Sequence, residues 1–291
     1  TTFFFFLKTY QAWDGVPEEI LSKDRRYNGI GRYIDAEGEE RYYDNETDNY
    51  DQTHYQLHYS RELTSWLNVN SALHYTRGIG YYEQYKDEAD LVDYDLPEIS
   101  FGDTTITQTD LVRRKWLDNH FYGAVFSMNA SVRNLNIILG GGWNRYDGDH
   151  YGTLIWARYA GAMEINDRWY DNKGVKSDFN AYLKANYYIL PEINLHGDIQ
   201  IRSIDYSIDG IDDDFRDITQ EHEYFFLNPK FGVNYSPDSR NRAYFSFSIA
   251  NREPNRGNFV DADPNEPLPR PEKLMDYEAG YQYRSDRFSG N

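Results

Sequence analysis

Cysteine is absent from the 291 residues. Disulfide frameworks, thiolate nucleophiles and cysteine-built zinc sites are thereby excluded. Also missing is any run of about 18 apolar residues, the length a helix needs to cross a bilayer. The densest aromatic run, Phe3 to Phe6, is far too short. Basic residues are scarce beside acidic ones, 30 against 48, for a net charge of −18. Phosphate backbones call for Lys and Arg, so nucleic acid is excluded as a partner. Catalytic signatures are missing too. There is no G-x-S-x-G elbow, and the adjacent pair Asp149-His150 would point to opposite faces of a strand. No catalytic residue is assigned, and the chain is not expected to be an enzyme. A leader is lacking at the start, where Thr1-Thr2-Phe3 opens inside a strand with no basic region or cleavage site. Phe288-Ser289-Gly290 reads as a turn. Both ends read as cuts in a longer protein.

What is abundant is aromatic: 28 Tyr and 16 Phe bring the aromatic share to 17%. The mean hydropathy of −0.84 averages over an alternation. From Phe179, one face carries Phe179, Ala181, Leu183, Ala185, Tyr187 and Ile189, and the other Asn180, Tyr182, Lys184, Asn186 and Tyr188. Side chains alternate along a strand with period two, so each such segment has one apolar and one polar face. The pattern recurs from Phe225, Ala243 and Met275. It predicts Leu183, Tyr187, Phe231, Phe245, Phe247 and Tyr281 toward lipid, with Lys184, Lys230, Gln200 and Glu278 toward a lumen.

The chain reads as roughly ten strands with two kinds of connection in strict alternation. Short ones fall at Ser60–Ser65, Asn129–Asn134, Leu190–Ile193, Ser236–Arg242 and after Arg284. Long ones fall at Thr9–Asp48, Gly78–Thr107, Asp147–Gly174, Ser207–Glu221 and Arg252–Glu272. Outer-membrane barrels have short periplasmic turns and long extracellular loops. Tyr59, Trp66, Tyr187, Tyr188, Tyr235 and Tyr244 flank the short turns, where an interfacial girdle belongs. After His196 the apolar residues change parity between Ile201 and Ile204, which predicts a β-bulge near Ser203. The fold class is all-β, an antiparallel transmembrane β-barrel present as a partial wall of about ten strands. Such a wall is too narrow to close round a lumen, so the Thr1–Leu7 and Met275–Tyr283 strands are expected to leave open edges.

Several stretches carry a resemblance. They are Gln11-Ala12-Trp13-Asp14-Gly15-Val16-Pro17, Asp48 to Leu57, Arg113 to Asn119 and Gly140 to Gly148. To these add Asn251-Arg252-Glu253-Pro254-Asn255-Arg256 with Pro271-Glu272-Lys273-Leu274 and Asp276 to Tyr281. Together they resemble the barrel of outer-membrane TonB-dependent receptors over most of the chain. The resemblance implies that residues 1–291 are part of one barrel domain of about 22 strands. The N-terminal plug and the C-terminal strands lie outside this sequence. It implies a Gram-negative outer-membrane receptor that binds a ferric siderophore, haem or cobalamin and imports it with TonB-derived energy. The implied partners are the TonB complex through an N-terminal region, the plug, membrane lipid and a small metal chelate or similar nutrient. A passive porin-like channel is the alternative, followed by a secreted β-rich glycan-binding protein.

Site residues follow from the long loops. Trp13, Tyr81, Tyr82, Trp156, Arg158 and Trp169, with Arg252 and Arg256, suit a flat anionic or metal-chelate ligand at an exposed rim. Packing of these rings among the loops is the plainer account of any single one. Arg252, Glu253 and Arg256 read best as an ion-pair cluster that fixes a loop. No metal ligand and no cofactor is assigned. His54 and His58 share a strand face but stand roughly 13 Å apart, and the acidic stretches Asp209–Asp214 and Asp261–Glu266 read as solvated loops.

Overall fold

The computed structural model describes residues 2–13, 15–35, 37–262, 267–285 and 289–290. Ten long strands make one antiparallel sheet: β1 (Thr2–Gln11), β4 (Thr47–Thr64), β5 (Leu67–Asp90), β8 (Gln108–Val132), β9 (Leu135–Ala157), β10 (Arg168–Leu190), β11 (Ile193–Ile211), β12 (Gln220–Tyr235), β13 (Asn241–Arg252) and β14 (Glu272–Arg284). The two-residue β15 (Ser289–Gly290) adds to β14. The connections contain the hairpins β2–β3 (Arg32–Ile34, Glu40–Tyr42) and β6–β7 (Ile99–Phe101, Thr104–Ile106). They also hold the short helices α1 (Glu18–Leu21) and α2 (Arg256–Val260). Each long strand pairs with its neighbour in this order. Among the described residues no ladder joins β1 to β14, so the sheet is open, as expected. Residues 263–266 of the acidic stretch from Asp261 lie outside the described residues.

Register fixes the two faces, because cross-strand partners share one. Leu57 pairs with Leu73, Leu73 with Ala124, Ala124 with Trp143 and Trp143 with Phe179. Ala181 then meets Ile201, Ile201 meets Leu227, and Phe231 meets Phe247. On the other face Lys184 pairs with Asp198, Asp198 with Lys230 and Lys230 with Ser248. The Lys184 Nζ stands 3.4 Å from Asp198. The alternation therefore holds across the sheet. Leu183, Tyr187, Phe231, Phe245 and Tyr281 are all more than 40% exposed, and no second sheet covers them among the described residues. A sandwich would bury this face. So large a contiguous apolar surface belongs in lipid.

The apolar face forms a belt. On β9 it runs from Leu135 to Trp143 and ends at Arg145; on β10 it ends at Phe179, followed by Ser177. Tyr75 and Tyr122 close it on β5 and β8, with Arg77 and His120 next on the same face. That height matches the roughly 9–11 residues of a tilted spanning strand. Near the short turns Tyr59, Tyr187 and Tyr235 lie on the apolar face. Tyr188 and Tyr244 fall on the polar one, opposite Asn194 and Asn234.

Two expectations are corrected. The long loops are shorter than the sequence suggested, because β5, β8, β9 and β10 run for 24, 25, 23 and 23 residues. Tyr81, Tyr82, Trp156 and Trp169 therefore stand on strands, not in loops. Above the belt neither face meets lipid, so the ladder continues after the alternation of hydropathy has ended. There is also no bulge near Ser203. β11 pairs without a register shift there on either side. The parity changes because Ile204, Tyr206 and Ile208 are apolar toward the inside, where they are buried under α2.

Leu183 lies at mid-belt, and Tyr182 faces inward beside it. Leu183→Lys in the full-length receptor should cost about 2–4 kcal/mol, and Tyr182→Lys less than about 1 kcal/mol. Urea titration in phospholipid vesicles measures both, and equal losses would reverse the assignment of faces.

Candidate ligand-binding wall above the belt

The inner face of the tall strands carries two apolar clusters separated by polar groups. One joins Tyr94, Leu111, Leu154, Trp169 and Tyr170. The other joins Ile204, Tyr206, Ile208 and Phe226 of the wall to Ile218, Phe259 and Val260. Phe259 and Val260 arrive on α2, so the connection between β13 and β14 folds inward onto the wall. A reciprocal cap starts this helix: Asn258 N–H donates to the Asn255 side chain and Asn255 N–H to that of Asn258, both at 3.0 Å. The ring of Phe259 stacks on His222 at 3.9 Å.

Charge ties the same connection down. Glu253 accepts from Lys176 Nζ at 2.6 Å and from Arg202 Nη1 at 2.8 Å. Arg202 also holds Asp178 through Nε at 2.9 Å. Burial alone would push the Glu253 carboxyl up, but the Lys176 and Arg202 charges outweigh it and the net shift is down. Three residues on, Arg256 Nη2 donates to Asn172 Oδ1 at 2.6 Å. The cluster expected of Arg252, Glu253 and Arg256 does not form: Glu253 pairs instead with Lys176 and Arg202, while Arg252 turns to Glu272 and Arg256 to Asn172. Toward β8, Arg113 donates to Gln84 Oε1 through Nε and Nη2 at 3.0 and 2.8 Å, and to the Tyr94 hydroxyl at 3.1 Å. Lys115 pairs with Asp213. The inner wall thus presents five basic side chains beside Tyr, Trp and Phe rings. Arg113 and Lys115 could have been found from their spacing, since alternate residues share a face.

The eight sequence-assigned residues separate into groups. Tyr82, Trp169 and Arg256 are on the inner wall. The Tyr82 hydroxyl accepts from Gln84 Nε2 at 3.1 Å. Trp169 is buried over Gly152, where a Cβ would have no room. Tyr81 and Trp156 face outward. Tyr81 meets Trp116 at 4.5 Å and lies under Arg114 at 4.3 Å. Trp156 stacks on Tyr85 at 6.4 Å, and Tyr85 in turn meets Tyr33 and Tyr43 of the first long connection. Arg158, itself exposed, pairs with the buried Asp110 at 2.6 Å, and Arg252 pairs with Glu272 at 2.8 Å at an exposed site. Trp13 is exposed beyond the end of β1. His54 and His58 bond to Gln52 and Gln56 of their own strand at 3.0 and 3.1 Å, as polar wall. Among the described residues no group of three metal-ligating side chains assembles.

The first long connection, residues 12–46, is clasped to the outside of the wall. Glu83, 1% exposed, accepts from Tyr43 Oη at 2.7 Å, Asn45 Nδ2 at 2.5 Å and Arg114 Nε at 2.7 Å. Burial, then the Glu83 carboxylate, pushes the Tyr43 hydroxyl up to about 12, so it stays a donor through the physiological range.

A family model described as TonB dependent receptor-like, beta-barrel matches residues 4–291. The chain belongs to the TonB-dependent receptor family. No curated protein sequence matches it. Among solved structures it is similar to the closed form of the ferric-catecholate import receptor Fiu from K12 E. coli. That match has a TM-score of 0.64 at 12% identity and covers 98% of this chain and 46% of Fiu. It is similar also to the copper transporter OprC (TM-score 0.61, 11% identity, 86% and 39% covered). The unliganded ferric citrate transporter FecA gives 0.57 at 13% identity, with 97% and 38% covered. At these identities the likeness is one of fold, and the chain spans less than half the length of each. The receptor family is one of transporters, which agrees with the lack of a nucleophile–base pair in the sequence.

Replacing Glu83 with Gln removes a charge-assisted acceptor, about 1.5–3 kcal/mol per bond of this kind. In the full-length receptor, E83Q should speed tryptic cleavage at Lys23, Arg25 or Arg26 by roughly tenfold and leave the barrel intact. An unchanged rate would mean the clasp does not hold the connection.

Proposed function

We propose that residues 1–291 are part of the barrel domain of a Gram-negative outer-membrane receptor that captures a scarce, bulky nutrient and imports it to the periplasm with TonB-derived energy. The observation that carries this reading is the inner wall above the belt. Arg113, Lys115, Lys176, Arg202 and Arg256 stand there among Tyr94, Trp169, Tyr170 and Tyr206, on strands rigid enough to hold them in place. Cations beside aromatic faces suit a flat, anionic metal chelate, as a ferric siderophore is. The ferric-catecholate and ferric-citrate receptors of similar fold support that choice of class. Nothing in the ligand needs to be cleaved. The work is capture at the wall, then displacement of the plug by force relayed through TonB. The plug and the TonB complex are thus the protein partners, and lipid covers the belt.

Deletion of the full-length gene in its host, with growth on defined iron sources, tests the proposal. Growth on one chelated source should fail and return on complementation. It should fail equally when TonB is removed. Uptake that persists without TonB would instead mark a passive channel.

A further inference from the structure

Gly78 and Gly80 follow each other on the inner face of β5, since alternate residues share a face. Bare backbone is offered to the lumen there. Tyr50, the cross-strand partner of Gly80, lies down over it. A Cβ on Gly80 would meet the Tyr50 ring at 2.6 Å, and one on Gly78 would meet its hydroxyl at 2.1 Å. One face of the ring is therefore pressed on the β5 backbone. Its far end is fixed too, because the hydroxyl accepts from Asn119 Nδ2 at 3.3 Å. The other face looks into a depression of about 400 Å³, a volume within the range of small-molecule sites. The depression is open to the lumen: Phe6, Lys8 and Tyr10, which line it from β1, are all exposed.

An ammonium group stands on each side. Lys8 is the other cross-strand partner of Tyr50. It forms no ion pair among the described residues, and its Nζ lies 4.5 Å over the Tyr10 ring. On the opposite side Lys115 of β8 lines the same space and is held by Asp213. The rim above is a single rung of the ladder, Tyr10, Asp48 and Tyr82. Asp48 is the one carboxylate among the described residues that line the depression, and the Tyr10 hydroxyl donates to it. The Tyr50 and Tyr10 hydroxyls are thus engaged within the wall. What remains for a ligand is a fixed aromatic face with an uncommitted positive charge beside it. A sugar would ask for the hydroxyls. A flat, negatively charged ring asks for the face and the charge.

We propose that this depression is a subsite for an anionic aryl group, whose ring stacks on the open face of Tyr50 and whose carboxylate or phenolate oxygen accepts from Lys8. That the group belongs to an imported chelate rests on the uptake reading. The subsite itself rests on the geometry alone.

Ligand-observed NMR titration of the purified full-length receptor with salicylate tests it, with cyclohexanecarboxylate as the comparison. The two acids carry the same charge, but the second has no aromatic face. Salicylate should bind at a saturable site, about threefold or more tighter than cyclohexanecarboxylate, and both should weaken as salt is raised. Tyr50→Leu should bring the two acids to equal affinity. Lys8→Gln is the second variant, in case the first misfolds. It sits at an exposed position, and it should weaken both acids several-fold while leaving salicylate the tighter. Arg168→Gln removes an equal charge from the outer face and should bind as the parent does. Failure of salicylate to bind, equal binding of the two acids by the parent, or binding unchanged in both Y50L and K8Q overturns the subsite. Uptake assays stay separate: TonB-dependent growth with no salicylate binding sinks this inference alone, and salicylate binding without TonB-dependent growth sinks the uptake reading alone.

Discussion

The rest of the structure depends on the unbroken antiparallel ladder. Inside hydrocarbon no water can satisfy a backbone N–H or C=O, so each must be paired by a neighbouring strand. That requirement fixes register, and register fixes faces: once Leu183 lies opposite Ile199, Lys184 must lie opposite Asp198. A slip of one residue would move every charge of a strand to the lipid side. The belt, the polar lumen and the inner wall above are all consequences of this one alignment.

The part of the fold that was legible in the sequence is the part the bilayer touches. Phe231 and Lys230 could be assigned because lipid and lumen make opposite demands on alternate residues. Above Tyr75 and Trp143 those demands end. Tyr81 and Tyr82 then read as loop, although their strand continues to Asp90. Ile204 illustrates the same difficulty. Its parity made sense only once α2 was known to cover it, and α2 comes from more than fifty residues farther along the chain. The site was legible in part. Arg256 and Trp169 were singled out by type and do face inward. Tyr81 and Trp156 were singled out by the same reasoning and face outward, because they stand on strands and composition without register cannot say which face of the wall they take. Lys176 and Arg202 were missed because their importance lies in sharing Glu253.

Buried ion pairs of this kind are weak sources of stability, since desolvation offsets much of the attraction. Their effect is on position. Glu253 has two partners on two strands, and Arg256 has Asn172 on β10, so the entrance to α2 can lie in only one place against the wall. The apolar contacts of Phe259 and Val260 add adhesion without direction. Together they convert a long connection into part of the inner surface, while the connection at residues 12–46 is held on the opposite side of the sheet by Glu83.

The strands differ greatly in length. β8 has 25 residues, and β13 and β14 have 12 and 13. All rise from the short-turn side, and at a tilt near 45° each residue adds roughly 2.3 Å of height. The rim therefore drops by on the order of 25 Å from one part of the sheet to the other. A diffusing solute meets a parapet at one bearing and a low saddle at another. Approach to the inner wall is then direction-dependent, low over β13 and β14 and high over β8.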